Sequence, residues 1–186
     1  MSKRLHRVGM VVGGIVLLLF LVSILTPGGR MRERARRVAC QQNLRQIGYA
    51  MKAYAEENGG RLPMDSARPT LVGSFQLLTN MIAPQVLHCW SDDRWGSKPT
   101  TNLAALTTFN ISYSYVPNQV WFTTGTPYII VLDRIDATLA GIGWLRNGNH
   151  GAMGGNVLYN DGHVAWCNFL PSALTDKDGK EALLSP

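Results

Sequence analysis

The chain of 186 residues has only three cysteines, Cys40, Cys89 and Cys167, and no C-x-x-C pair. That excludes a zinc-ribbon spacing and a dense disulfide framework. Outside the cytosol an odd count means one pair and one free thiol, and in a reducing compartment three buried thiols. Acids are also few, 12 Asp and Glu against 18 Lys and Arg. The basic residues are not interleaved with aromatics along any stripe, which argues against a nucleic-acid groove. There is no G-x-S-x-G, and no Cys/His pair that the sequence sets beside an orienting group, so nucleophilic catalysis finds no footing. A non-enzymatic protein is expected. No internal repeat is present. The N-terminal apolar run is not followed by an A-x-A site but by Thr26-Pro27-Gly28-Gly29-Arg30, so it reads as an uncleaved anchor rather than a secretory signal.

What the sequence does have is that run. The 18 residues from Val8 to Leu25 carry no charge, the low end of what spans a bilayer as a helix. Lys3, Arg4 and Arg7 precede it, and Arg30, Arg32, Arg34, Arg36 and Arg37 follow. Basic clusters flanking an apolar segment meet lipid headgroups, so membrane lipid is the expected partner and nucleic acid is not. Beyond Pro27-Gly28-Gly29, residues Cys40, Leu44, Ile47, Met51 and Tyr54 recur at helical spacing and mark one face that something must cover. The expected domains are 1–29, a cytoplasmic flank and transmembrane anchor, and 30–186, a head whose amphipathic spine is 30–58. After the spine the sequence predicts a short helix over 75–82 closed by Pro84, an extended segment Val86–Cys89, a half-buried strand through Ile111, Tyr113 and Tyr115 that Val120–Phe122 continues, and a central strand Tyr128–Leu132. Residues 133–141 read as a loop with a helical turn. Asn156–Tyr159 and His163–Trp166 flank Asn160-Asp161-Gly162, a hairpin signal in which both Asp161 and Gly162 tolerate positive φ. The polar tail from Thr175 reads as loosely held. The expected fold class is α+β: a long N-terminal transmembrane-plus-amphipathic helix packed on a small antiparallel sheet.

Four stretches, in this order, resemble the pilin-like proteins of the type II secretion and type IV pilus group, in the branch with a C-terminal H-X9-DG motif: Ala35–Gly48 after the apolar run, Val86–Asp92 (similar to a C-P-S-D stretch, with Trp90 at the proline), Ser112-Tyr113-Ser114-Tyr115, and Asn149-His150 followed by Gly154–Val164. The motif residues would be His150, Asp161 and Gly162, here with ten intervening residues instead of nine. The resemblance implies a pseudopilin-like subunit in a bacterial inner membrane, its N-terminus cytoplasmic and its head periplasmic or extracellular, with other pilin-like subunits or secretion machinery as partners. The alternative is a membrane-tethered extracytoplasmic binding module that never assembles. The arginines after the anchor outnumber the basic residues before it, which by charge alone favours the opposite orientation; related proteins carry the same basic flank.

Cys40 lies on the apolar helix face, and Cys89 ends an apolar segment that must return to the spine. Both fall in stretches resembling the family's own cysteine positions, so a Cys40–Cys89 disulfide is expected with Cys167 free, Cys89–Cys167 being the rival. His150, Asp161 and His163 invite comparison with a metal site, but their sequence context reads as hairpin structure. Asp176, Asp178 and Glu181 resemble the start of a calcium loop, as some pseudopilins have near the C-terminus, without the full acidic set of an EF-hand. No cofactor is expected, with calcium held open at those three acids.

Gly9-Met10 stands where the family is processed, but Gly14 occupies the position of the glutamate that pairs with a neighbour's N-terminal amine in the filament. Cleavage at Gly9-Met10 is therefore expected to be poor. Mass spectrometry of the N-terminus checks this, and chains that mostly begin with methylated Met10 would refute it.

Overall fold

A computed structural model describes residues 2–25, 28–65, 69–121, 127–135, 144, 148–170, 174 and 183–186, with the side chains of the first helix from Val11 to Ser23. Two compact units divide the chain, Met1–Ala35 and Arg36–Pro186. In the first, α1 (Ser2–Leu25) is one continuous helix. Its described apolar side chains, Val11, Val12 and Ile15 through Val22, are 46–63% exposed. Among the described residues no helix is long and apolar enough to cross a membrane. The stretch Val11–Ser23 amounts to about 20 Å of helix, against a hydrocarbon core of about 30 Å. The observed architecture is α+β, and the part of α1 with described side chains is shorter than the 18-residue apolar run of the sequence, Val8 to Leu25.

α2 spans Gly29–Glu57, and the second unit is built on its part from Arg36 onward, which buries Cys40, Leu44, Ile47, Gly48, Ala50, Met51 and Ala55. The buried stripe is wider than the spacing of large apolar residues suggests, because small residues share it, and Tyr54 at its end is only partly buried. Each of Leu44, Ile47 and Met51 is wholly buried and contributes about 1.5–3 kcal/mol of apolar burial. Their cover is a four-stranded antiparallel sheet in the order β1-β2-β3-β4, with β1 Tyr113–Tyr115, β2 Ile129–Asp133, β3 Gly155–Tyr159 and β4 Val164–Cys167. The register sets Tyr115, Val131, Leu158 and Val164 in one cross-strand row, and that row faces the α2 core. The neighbouring row, Leu132 and Val157, faces a second cluster with Val116, Ile135 and Trp144. The sheet is thus buried on both faces, so Ser112 and Ser114 are buried too and β1 is not the half-exposed strand its alternation predicts.

Other expectations change in detail. The short helix α3 is Leu71–Gln76, several residues earlier than predicted, because Thr70 caps it by accepting a bond from the Gly73 amide at 3.0 Å. Residues 84–87 form a 3-10 turn with Pro84 in its first turn instead of an extended segment. Val120 makes a single bridge to Arg61, while Phe122 and residues 136–141 lie outside the described residues. The loop joining β3 and β4 has positive φ at Gly162 and not at Asp161. Tyr159 O accepts from Gly162 N at 2.9 Å, a three-residue turn with glycine in the left-handed position. The end of the tail is fastened: Tyr115 and Leu184 exchange backbone bonds of 2.7 and 2.8 Å, which covers the free edge of β1.

The disulfide joins Cys40 to Cys89, with Cα atoms 5.3 Å apart, and Cys167 is free. It closes a loop with a sequence separation of 49. Loop-closure entropy puts the stabilisation from such a loop at about 4 kcal/mol. The Cys40→Ala/Cys89→Ala protein should lose that much in urea unfolding, whereas Cys167→Ser should stay within about 0.5 kcal/mol of the parent.

Candidate functional site

Two buried polar centres occupy the same part of the head. Asp133 ends β2 and, with its neighbours Leu132 and Val157 paired in register, lies opposite Asn156 of β3. Its carboxylate is wholly buried. Oδ2 accepts from the Asn156 amide at 2.6 Å and from Asn156 Nδ2 at 3.0 Å, and Oδ1 accepts from Asn149 Nδ2 at 3.1 Å. Asn149 also donates to Ser112 O at 2.6 Å. His150 Nε2 stands 3.4 Å from Asp133 Oδ2 and 3.7 Å from Cys89 Sγ. Burial pushes the Asp133 carboxyl above its ordinary value, against the pull of His150 and the asparagine bonds. The His150 ring packs edge-on to Trp166 with centroids 5.5 Å apart, and the Arg37 guanidinium covers the Trp166 ring at 4.3 Å. Arg37 is thereby held on the head, unlike the exposed Arg30, Arg32, Arg34 and Arg36.

The second centre is Asp92. Arg94 donates from Nε to both carboxylate oxygens and from Nη2 to Oδ2 at 2.7 Å, and Arg134 Nη2 lies 3.6 Å from Oδ1. Arg94 also donates to Ile111 O. Burial acts to raise the Asp92 carboxyl, but hydrogen bonds from Arg94 and Ser112 and the Arg94 charge outweigh it and hold the carboxyl below its ordinary value. Nearby, burial chiefly keeps the His88 imidazole below its usual value, with Arg94 adding and Asp92 opposing. Asn43 of α2 donates to His88 O at 3.0 Å, which ties this loop to the helix.

Residues 29–76 match the family model of a protein of unknown function (DUF1559). The match covers α2, α3 and the loop between them. No curated protein and no solved structure matches the chain.

The motif residues divide between two places. His150 lies in the turn before β3, and Asp161 and Gly162 lie in the turn after it. The five residues of β3 set the two ends about 16 Å apart. Asp161 Oδ1 meets the His163 ring nitrogen Nδ1 at 2.6 Å, half in solvent, and His163 stacks on Tyr159 with centroids 4.2 Å apart. His150, Asp161 and His163 therefore do not share a site. Among the described residues, the metal-ligating atoms that converge belong to Cys40, Cys89 and His150, all within 4.8 Å of one another. With both thiols consumed in the disulfide, this oxidised form has no thiolate to offer a metal. Asp161 and Gly162 instead border a groove of about 670 Å³ against α2, together with Arg45, Tyr49, Lys52 and Trp121. Gly9 and Met10 fall in α1 where side chains are not described, and Asp176, Asp178 and Glu181 lie outside the described residues. Asp133, Asn156, Trp166 and Arg37 had no site role in the sequence reading. Their only signal there was a lone acid closing a β-branched run.

Asp92 gives a pH-dependent stability with a fixed sign. A folded-state carboxyl held below its unfolded value contributes stability in full above that unfolded value, about 3.9, and loses it as pH falls through the depressed one. Asp92→Asn should therefore destabilise most at pH 7, and its gap from the parent should narrow once pH drops below about 4. Urea midpoints across that range check this; a gap independent of pH would contradict it.

Proposed function

We propose that this chain is a non-enzymatic, pilin-like envelope subunit. The apolar N-terminal helix acts as a single-pass anchor in the inner membrane, the head lies on the periplasmic or extracellular side, and the protein works as a minor component of a type II secretion or type IV pilus-like assembly. The observation that carries the reading is α1. Its described side chains from Ile15 to Val22 are apolar and exposed all round the helix, and a helix apolar on every face requires lipid or other helices around it. The sequence extends that run to 18 uncharged residues, Val8 to Leu25, enough for a short span. A long helix laid on a four-stranded antiparallel sheet, the similarity of residues 29–76 to DUF1559 proteins and a disulfide suited to an oxidising compartment support the same reading.

The groove between α2 and the Asp161 turn favours a second reading, a tethered binding module that does not assemble. Tyr49, 73% exposed, stands beside it with Arg45, Lys52 and Trp121, a mixture of aromatic and basic groups suited to an extended polar ligand.

Fractionation separates these. The full chain should resist alkaline extraction from membranes, deletion of residues 8–25 should release the head, and a C-terminal phosphatase fusion should be active outside the cytoplasm. Cross-links to other pilin-like subunits in sheared filaments favour assembly, and their absence with the anchor intact favours the tethered module. Recovery of the intact chain in the soluble fraction would sink both.

A further inference from the structure

The Cys40–Cys89 disulfide and the Asp133–His150 pair meet at one atom. His150 Nε2 lies 3.7 Å from Cys89 Sγ and 3.4 Å from Asp133 Oδ2. A tetrahedral zinc ion with about 2.3 Å to sulfur and about 2.0–2.2 Å to nitrogen and oxygen would set a sulfur–nitrogen pair about 3.6 Å apart and a nitrogen–oxygen pair about 3.4 Å apart. Both separations from Nε2 already match that figure. Cys40 Sγ belongs to the same cluster, with every donor atom of Cys40, Cys89 and His150 within 4.8 Å of the others. We propose that reduction of the Cys40–Cys89 disulfide turns this pole of the head into a closed zinc site, with Cys40, Cys89 and His150 as ligands and Asp133 in the fourth position.

The surroundings fit such a site. Ligating carboxylates and imidazoles need neighbours that hold their orientation, and Asn149 and Asn156 already fix Asp133 through three bonds while Trp166 packs on the His150 ring. Two thiolates and a carboxylate around Zn²⁺ leave one excess negative charge, and the Arg37 guanidinium lies over the Trp166 ring that packs on His150. Cys40, Cys89 and Asp133 are wholly buried and His150 nearly so, as a structural site requires, and the Gly151–Met153 turn, with Ala152 and Met153 exposed, follows His150 directly in the chain. Soft sulfur and imidazole donors select zinc over calcium or magnesium.

The interconversion balances with a dithiol as reductant. The protein disulfide takes two electrons from the dithiol, which closes to its own disulfide. The two thiol protons leave to solvent, and both protein thiolates bind Zn²⁺. In reverse, a disulfide oxidant takes the two electrons, picks up two protons as it becomes two thiols, and the protein disulfide reforms as Zn²⁺ is released. This site is independent of whether the chain assembles.

The test uses the full chain, oxidised or reduced without oxygen by a phosphine, dialysed against zinc and counted for metal. The oxidised chain should hold no zinc and the reduced chain one per molecule, with a raised melting temperature. Cobalt in place of zinc should show thiolate-to-metal charge-transfer bands. Zinc should protect Cys40 and Cys89 from alkylation and leave Cys167 reactive, and Cys167→Ser should bind as the parent does. His150→Ala should weaken binding at least about tenfold. If that variant misfolds, the alkylation map of the parent decides. A reduced chain that takes up no zinc, alkylation of Cys40 or Cys89 in its presence, or undiminished binding by folded His150→Ala would overturn the proposal.

Discussion

The head depends on how closely α2 can lie on the sheet. Gly48 sets that distance: a Cβ there would come within 3.1 Å of Leu158 Cδ1, so the helix approaches β3 where it has no side chain. With Leu158 seated against the helix backbone, the row Tyr115–Val131–Leu158–Val164 fills the α2 stripe. Polar residues beside the stripe then reach the flanking backbone, Gln41 to Val164 O at 3.3 Å and Asn43 to His88 O at 3.0 Å. Interiors at close-packed density leave no room to slide such a contact, so the register of β3 and β4 and the position of the 84–92 segment follow from one close approach.

That approach fixes where the buried charges must go. A carboxylate removed from water costs several kcal/mol unless it is paired and bonded, and among the described residues the side chains of Asp92 and Asp133 are buried. Asp92 is matched by two arginines. Asp133 is matched by His150 and by neutral amides with no arginine among them, and burial still dominates its carboxyl. The asparagines that solve this problem belong to the turn and strand around His150. The same bonds that satisfy Asp133 therefore set His150 against the disulfide.

The parts legible in the sequence were those with a strong period or a turn residue with one purpose. The α2 face was readable because Cys40, Leu44, Ile47 and Met51 repeat at helical spacing, while Ala50, Ala55 and Gly48 stayed hidden because small residues carry no hydrophobic signal. The β3–β4 hairpin was readable from Asp161-Gly162, although only Gly162 takes the left-handed conformation. The 3-10 turn at Pro84–Leu87 was missed because a short apolar run looks alike in extended and helical form. Burial of both faces of β1 was invisible because Ser112 and Ser114 have the polarity of a solvent face. The Asp133 site was illegible for a related reason: its members are distant in sequence and only the β2–β3 pairing unites them.

The His150 and Asp161-Gly162 elements, which read as one motif along the chain, do separate physical work at the two ends of β3. At one end, Gly151 and Gly154 adopt positive φ, and a Cβ at Gly154 would sit 2.5 Å from Cys167 O. The turn that carries His150 is thus pinned to β4, and the extra residue between His150 and Asp161 lies in a stretch with two such glycines. At the other end, Asn160 Oδ1 accepts from Tyr128 N at 3.0 Å, and Asp161 accepts from His163 N at 3.0 Å, so the turn is tied on both sides, and a Cβ added at Gly162 would meet the Trp121 ring at 3.4 Å. One end orders the interior around a histidine and a disulfide, and the other shapes the groove wall beside α2. A strand of five residues lets one hairpin do both, because its register cannot shift at one end without moving the other.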